Sequence, residues 1–242
     1  MKTITDIAII FRIHFTKLRG EMGPFLLTSF IFPVGMYLFL SVVAGEQHPN
    51  RIQFLSGSIV FSTTMVAIMW VGYHLLEDRF RGRLKLFVTS PVKPISYILG
   101  VVCFAALQAI IGITGLLIVA KLIGLNIQFS LLMLPLLVLG LLAHTSIAII
   151  ISRFAPSMPQ GTLITDGLGA GLVFLSPVYY SITQLPPAVR PAAYLLPPTF
   201  LADGVKKLLS GNNAIATDMI VLGAMATVSL LVSLKLTRWR ED

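Results

Sequence analysis

Residues 96–120 read SYILGVVCFAALQAIIGITGLLIVA, an unbroken run with no charge between Lys93 and Lys121. About 20 apolar residues cross a bilayer as a helix, and this run is longer than that. Its apolar residues are continuous rather than alternating. In lipid only helices and closed barrels satisfy every backbone group, and alternation is the mark of the barrel, so the run reads as a membrane-spanning helix. Five further stretches share the pattern, at about 25–44, 55–76, 129–152, 161–182 and 214–236. The fifth crossing in chain order, 161–182, is glycine-rich and broken by Pro177.

The composition of the 242 residues agrees. Hydrophobic residues make up 56% and charged residues 12%, with a mean hydropathy of +0.88. A soluble domain carries about 25% charged residues, so an ordinary cytosolic enzyme, a disordered chain and a fibrous protein are excluded. The fold class is an all-α polytopic membrane protein with six transmembrane helices in one domain, 1–242. The apolar run at 25–44 is too long for the h-region of a cleaved signal peptide, about 7–15 residues.

Charge placement orients the chain. With the N-terminus inside, the inner segments hold Lys2, Arg12, Lys17, Arg19, Arg79, Arg81, Arg83, Lys85, Lys93, Arg153, Lys235, Arg238 and Arg240. The outer segments hold Arg51, Lys121, Arg190, Lys206 and Lys207. Thirteen of the 18 Lys+Arg therefore fall inside. This is the positive-inside bias of a multi-pass cell-membrane (inner or plasma membrane) protein with both termini cytoplasmic. It accounts for the net charge of +8 without a nucleic-acid partner. Cys103 is the one cysteine, and no Cys/His cluster with metal-ligand spacing exists, so no metal site is expected.

Three segments do not span. In residues 1–24, Ile4, Ile7, Phe11, His14 and Leu18 recur at helical steps, with Lys2, Arg12, Lys17 and Arg19 mostly off that stripe. This is an amphipathic helix at the membrane surface, or else a basic lead-in that orients the first crossing. Residues 77–95, EDRFRGRLKLFVTSPVKPI, open with Glu77 and Asp78, favourable at a helix N-terminus. They place Phe80, Leu84 and Phe87 on one apolar face within a basic collar, and Pro91 and Pro94 stop the helix. The segment is a short docking helix or a plain positive-inside loop. Residues 183–213, TQLPPAVRPAAYLLPPTFLADGVKKLLSGNN, hold five prolines that forbid one continuous helix. Two short pieces, about 188–196 and 199–210, read as a hairpin dipping into the outer leaflet. The alternative is a loop lying flat on the membrane. Span six, 214–236, and a cytoplasmic tail, 237–242, complete the chain.

At these segments the sequence resembles the membrane subunit of type-2 ABC exporters, the drug, antibiotic, lipid and polysaccharide export permeases. The resemblance rests on the basic N-terminal helix and on Glu77 to Gly82 (E-x-x-x-x-G) with the Ser90-Pro91 turn. It rests also on Ser176-Pro177 followed by QLPPAVRPAAYLLPPTFLADGVKKLL. The chain carries Gly82-Arg83 and Pro197-Pro198 where members often have Gly-Thr and Asn-Pro. The resemblance implies that the cytoplasmic segment is a coupling helix docked on a separate ATPase subunit, with Glu77, Phe80, Gly82, Leu84, Phe87 and Pro91 as its residues. It implies that the external segment is a re-entrant hairpin gating the pathway, here through Leu185, Pro186, Leu196, Pro198 and Phe200. It also implies a dimer, with itself or with a paralogous permease, around the substrate path.

No G-x-x-x-x-G-K-[ST] occurs, so ATP and Mg belong on the partner ATPase, and this chain is expected to bind no cofactor and carry no catalytic residue. Asp166, His144 and Gln108 are polar residues inside spans. Asp166 is a candidate functional acid or a headgroup-level partner of Arg153. His144 and Gln108 bond neighbouring helices or line a polar site. Gly167 and Gly171 form a G-x-x-x-G suited to close helix packing. The expected function is the transmembrane subunit of an ATP-driven exporter of a hydrophobic or amphipathic compound such as a drug, antibiotic or lipid. Export of a lipid-linked polysaccharide or wall polymer by the same machinery, and ion-coupled secondary transport, are the alternatives.

Overall fold

The protein was analysed as a computed structural model, which describes residues 2–45, 50–90 and 92–236. The predicted tail, 237–242, lies outside the described residues. All regular structure among the described residues is helical. In order the helices are α1 (Lys2–Leu18), α2 (Met22–Ala44), α3 (Arg51–Phe80), α4 (Arg83–Thr89), α5 (Pro94–Leu122), α6 (Met133–Phe154), α7 (Met158–Leu175), α8 (Arg190–Ala193), α9 (Pro197–Leu209) and α10 (Ala216–Leu236). Five of them, α2, α3, α5, α6 and α10, are long and apolar enough to cross a membrane.

The fifth expected crossing, α7, is not among the five. It ends at Leu175, short of Pro177, and Pro159, Gln160 and Asp166 thin its apolar content. Its flanks are tied to opposite ends of α3 all the same. Arg79 Nη1 donates to the carbonyl of Ala155, just before α7, at 2.9 Å, and Gln53 Nε2 donates to that of Val178, just after it, at 2.7 Å. The helix therefore runs the length of the bundle.

Proline chemistry sets several boundaries. Pro94, Pro159 and Pro197-Pro198 occupy first turns, where a missing N–H costs nothing. Pro33 is different, because it sits inside α2. It cannot donate to the carbonyl of Ser29, four residues back, and its ring would crowd that carbonyl. The turn before it, Leu27–Ile31, widens to a π-helix, a local adjustment of the kind that re-satisfies freed groups in membrane helices. Ser62 Oγ of α3 then donates to the Ser29 carbonyl at 3.1 Å. Gly112 of α5 lies against the same spot. A Cβ there would collide with the Ser29 carbonyl and come within 2.7 Å of Ser62 Oγ.

Burial separates centre from periphery. The most apolar window of α3 is 83% buried, against 22% in α2 and 17% in α10. In lipid, helix association depends on close packing and interhelical hydrogen bonds rather than on expulsion of water. The centre of α3 fits that requirement: Ser56, Ser58, Ser62, Thr63 and Thr64 are all buried. The outward faces of α2 and α10, with Phe39, Val42 and Ile220 exposed, match acyl chains.

One expected stripe shifts, and the external segment packs against the bundle. In α1 the buried positions are Ile10, His14 and Leu18, while Ile4 is exposed and Phe11 half-buried. One face of α1 thus packs on protein, along α5, where Gly100 admits Ile10. In the 183–213 segment the first expected piece is only one helical turn, α8. The second, α9, is wedged among α3, α6 and α10 with Leu201, Val205, Leu208 and Leu209 fully buried. Its apolar face is covered by protein. The close approach uses Gly140 of α6 under Leu201 and Gly204 of α9 under Leu136.

Candidate functional site

Glu77 and Asp78 do not begin the docking helix as the sequence suggested; they lie in the last turn of α3. Acids there meet the negative end of the helix dipole, so they need cations close by. Gly82 supplies the means. Its φ of 75° is left-handed, which glycine adopts without penalty and which ends the helix. The chain reverses and α4 begins at Arg83, whose guanidinium folds back onto both acids.

The resulting cluster joins four helices. Lys17 Nζ of α1 lies 2.7 Å from Asp78 Oδ1 and 3.5 Å from Glu77 Oε2. Arg83 Nε is 2.9 Å from Asp78 Oδ1, and Arg83 Nη2 pairs with Glu77 Oε2. Arg81 Nη1 is 3.0 Å from Glu77 Oε1. Tyr97 of α5 donates its hydroxyl to Asp78 Oδ2 at 3.3 Å. Asp78 is 1% exposed, so its charge depends on these partners. Next to them His14 is stacked on Phe104 and set edge-on to His74. Burial, aided by Lys17 and Arg83, pushes the His14 pKa down to about 3, so His14 is neutral. Burial, with the charge of Glu77, also raises the carboxyl of Glu21, which lies 3.5 Å from His74 Nε2.

The other expected coupling residues separate. Phe87 turns inward, its ring centroid 5.2 Å from that of Tyr97. Phe80 is 40% exposed under the Arg79 guanidinium, and Leu86, not singled out from the sequence, is 69% exposed. The Leu84 side chain and Pro91 lie outside the described residues. Among the described side chains of the 77–90 segment, the exposed large apolar ones are Phe80 and Leu86.

At the opposite end, Lys207 Nζ sits 2.7 Å from both Asp203 Oδ2 and the buried Asp218 Oδ2. Burial lowers the lysine pKa, but hydrogen bonds to Asp203 and Asp218 outweigh it and the net shift is upward. Among the expected gate residues, Leu196, Pro198 and Phe200 gather at the start of α9, with Pro198 buried and Phe200 packed beside Tyr194. Leu185 and Pro186 stand apart in the preceding turn, where Arg190 Nε donates to the Leu185 carbonyl at 3.0 Å.

The three intramembrane polar candidates are not joined by hydrogen bonds among the described residues. His144 Nδ1 is 2.6 Å from the Gly140 carbonyl in its own helix, with Thr64 Oγ1 3.5 Å from Nε2. Gln108 is fully buried with neither amide atom partnered. Asp166 is half-buried in α7. Gly167 and Gly171 face open space, and Gly169 instead takes the close contact, with Met69. No group of three or more potential metal ligands occurs among the described residues.

Comparison with known proteins places this architecture. A family model described as "ABC-2 type transporter" matches residues 5–209. Nodulation protein J of Rhizobium meliloti (strain 1021) is 25% identical over 234 residues, covering 95% of this chain and 88% of that protein. Inner membrane transport permease YhhJ of Escherichia coli (strain K12) is 27% identical over 187 residues, covering 72% of this chain and 49% of that longer protein.

Proposed function

Because the chain belongs to the ABC-2 type transporter family, we propose that it is the transmembrane subunit of an ATP-driven exporter of an amphipathic compound. It has six spans, with α7 as the fifth, and both termini in the cytoplasm. An 18-residue helix rises roughly 27 Å, near the thickness of a hydrocarbon core. An even number of spans also returns the basic C-terminal end to the side of Lys17 and Arg83. Two permease subunits, identical or paralogous, enclose the pathway. ATP and Mg are held by a separate ATPase chain.

The observation that carries this reading is the buried carboxylate pair at the end of α3. Through Asp78 and Glu77, α4 is fastened to α1 by Lys17, to α3 by the Gly82 turn and to α5 by Tyr97. A push on α4 is then delivered to three helices at once. Phe80 and Leu86 form the apolar face on which the ATPase seats. When ATP closes the ATPase pair, the α4 elements move with it, and α1, α3 and α5 follow as one unit.

The test is capture and coupling. The complex with its ATPase, purified from co-expression, should show transport-linked ATP hydrolysis in vesicles. Leu86→Asp should reduce ATPase capture at least tenfold, since truncating an interface anchor costs about 2 kcal/mol or more. Normal capture and full transport in that variant would remove the docking role.

A further inference from the structure

A cavity of about 340 Å³ lies at the end of the bundle opposite the Glu77–Asp78 cluster, between the 177–182 segment, α8, α9 and the first turn of α10. That volume is within the range of small-ligand sites, which starts near about 300 Å³. Three rings line it, from Tyr180, Tyr194 and Phe200. The Tyr194 and Phe200 rings lie 6.1 Å apart and inclined at 41°, which makes an aromatic corner.

The charges around the cavity cancel. Asp203 and Asp218 contribute two negative charges, and Lys206 and Lys207 two positive ones. Lys207 spends its charge on the two aspartates, while Asp203 remains 53% exposed and Lys206 half-buried beside it. An organic cation or anion gains no net Coulomb advantage here. The site offers ring faces for apolar C–H surface, with a carboxylate acceptor, an ammonium donor and hydroxyls that do both. A pyranose ring has the matching chemistry: apolar faces and a rim of hydroxyls that donate and accept in turn.

We propose that this cavity binds a neutral saccharide unit. The inference deepens the permease reading and rests on it only in making the sugar part of the exported compound. The sugar arrives either free or as the headgroup of a lipid, and the recognition chemistry is the same for both.

The experiment uses the full chain in nanodiscs, purified without sugar-based detergents, and saturation-transfer NMR. The probes are maltose and cellobiose as free sugars, and a digalactosyl glycerolipid in vesicles against phosphatidylcholine alone. Transfer to sugar-ring protons is expected, with binding weakened at least tenfold by Tyr194→Ala and by Asp203→Asn. Asp203→Asn also loosens the Lys207 pair, so Thr217→Val, at an exposed lining position outside the ion pairs, is the second variant and should weaken binding several-fold. Transfer from free sugar or from glycolipid upholds the proposal and identifies the source. No transfer from either, or transfer undiminished by Tyr194→Ala and Thr217→Val, overturns it. ATPase capture is scored on the same preparations. Capture without sugar binding refutes the saccharide site and leaves the permease reading standing. Sugar binding without capture upholds the site and removes the reading beneath it.

Discussion

Asp78→Asn keeps the side-chain volume and deletes the charge that Lys17 and Arg83 share at 2.7 and 2.9 Å. Removing one partner of a fully buried pair costs about 3–5 kcal/mol, because the other charge is stranded. Here the stranded groups are the cations, and they are 15% and 34% exposed, so both regain some water. The asparagine oxygen still accepts from Tyr97. The expected loss is therefore near the lower end, about 2–3 kcal/mol. Lys17→Met leaves Asp78 with Arg83 and Tyr97 and should cost less, about 1–2 kcal/mol. If α1 and α3 are joined through this pair, the double variant should fall short of additivity by about 1 kcal/mol. Thermal unfolding of the reconstituted chain measures the cycle, and ATP-driven transport by the same variants measures coupling. Asp78→Asn within about 0.5 kcal/mol of the parent, with undiminished transport, would refute both the buried-charge reasoning and the linkage of α1 to α4.

With Cys103→Ser as background, Lys206→Cys should react with an impermeant thiol reagent from outside and Lys85→Cys only after permeabilisation; external labelling at 85 would invert the topology. His14 binds a proton at about 3 in the folded protein, against 6.5 as its ordinary value. The unfolded chain thus takes up the proton first, so the contribution of His14 is complete above pH 6.5 and declines as pH falls toward 3. The opening equilibrium of α1, taken from hydrogen exchange after division by the intrinsic rate at each pH, should rise as pH falls from 7 to 5, and less so in His14→Phe. Gly112→Ala drives a methyl into the Ser29 carbonyl and Ser62 hydroxyl and should lower stability by about 1–3 kcal/mol in the unfolding assay. Gly167→Ala, facing open space, should be neutral or stabilising by up to about 1 kcal/mol.

What was legible in the sequence follows what lipid demands of a chain. Long apolar runs have one solution at membrane depth, so 96–120 and its counterparts appear as helices near their expected limits. The exception shows where that logic weakens. Helix α7 carries Pro159, Gln160 and Asp166, and Arg79 and Gln53 hold its flanks to the two ends of α3. The buried stripe of α1 is Ile10, His14 and Leu18 rather than the full set Ile4, Ile7, Phe11, His14 and Leu18, because periodicity identifies an apolar face but not what covers it. For α9 the cover is protein, admitted by Gly140 and Gly204 from two different helices.

Residues 77–95 show a second limit. The resemblance singles out Glu77 and Gly82, but their structural roles are not legible in that motif. A pair of acids before a short helix looks like an N-terminal charge preference. In the folded chain the same acids close α3, and the left-handed Gly82 turns the local preference into a tertiary one by returning Arg83 to them. Lys17 is 60 residues or more away in sequence, and nothing local marks it as their partner. Placing those charges at a helix C-terminus is locally unfavourable. It persists because α1, α4 and α5 each supply a group that the acids require, and each helix is positioned in return. An uncharged, locally consistent end to α3 would stabilise that helix alone. The charged end makes its stability conditional on where α1 and α4 sit, which is the property the proposed coupling role of α4 requires.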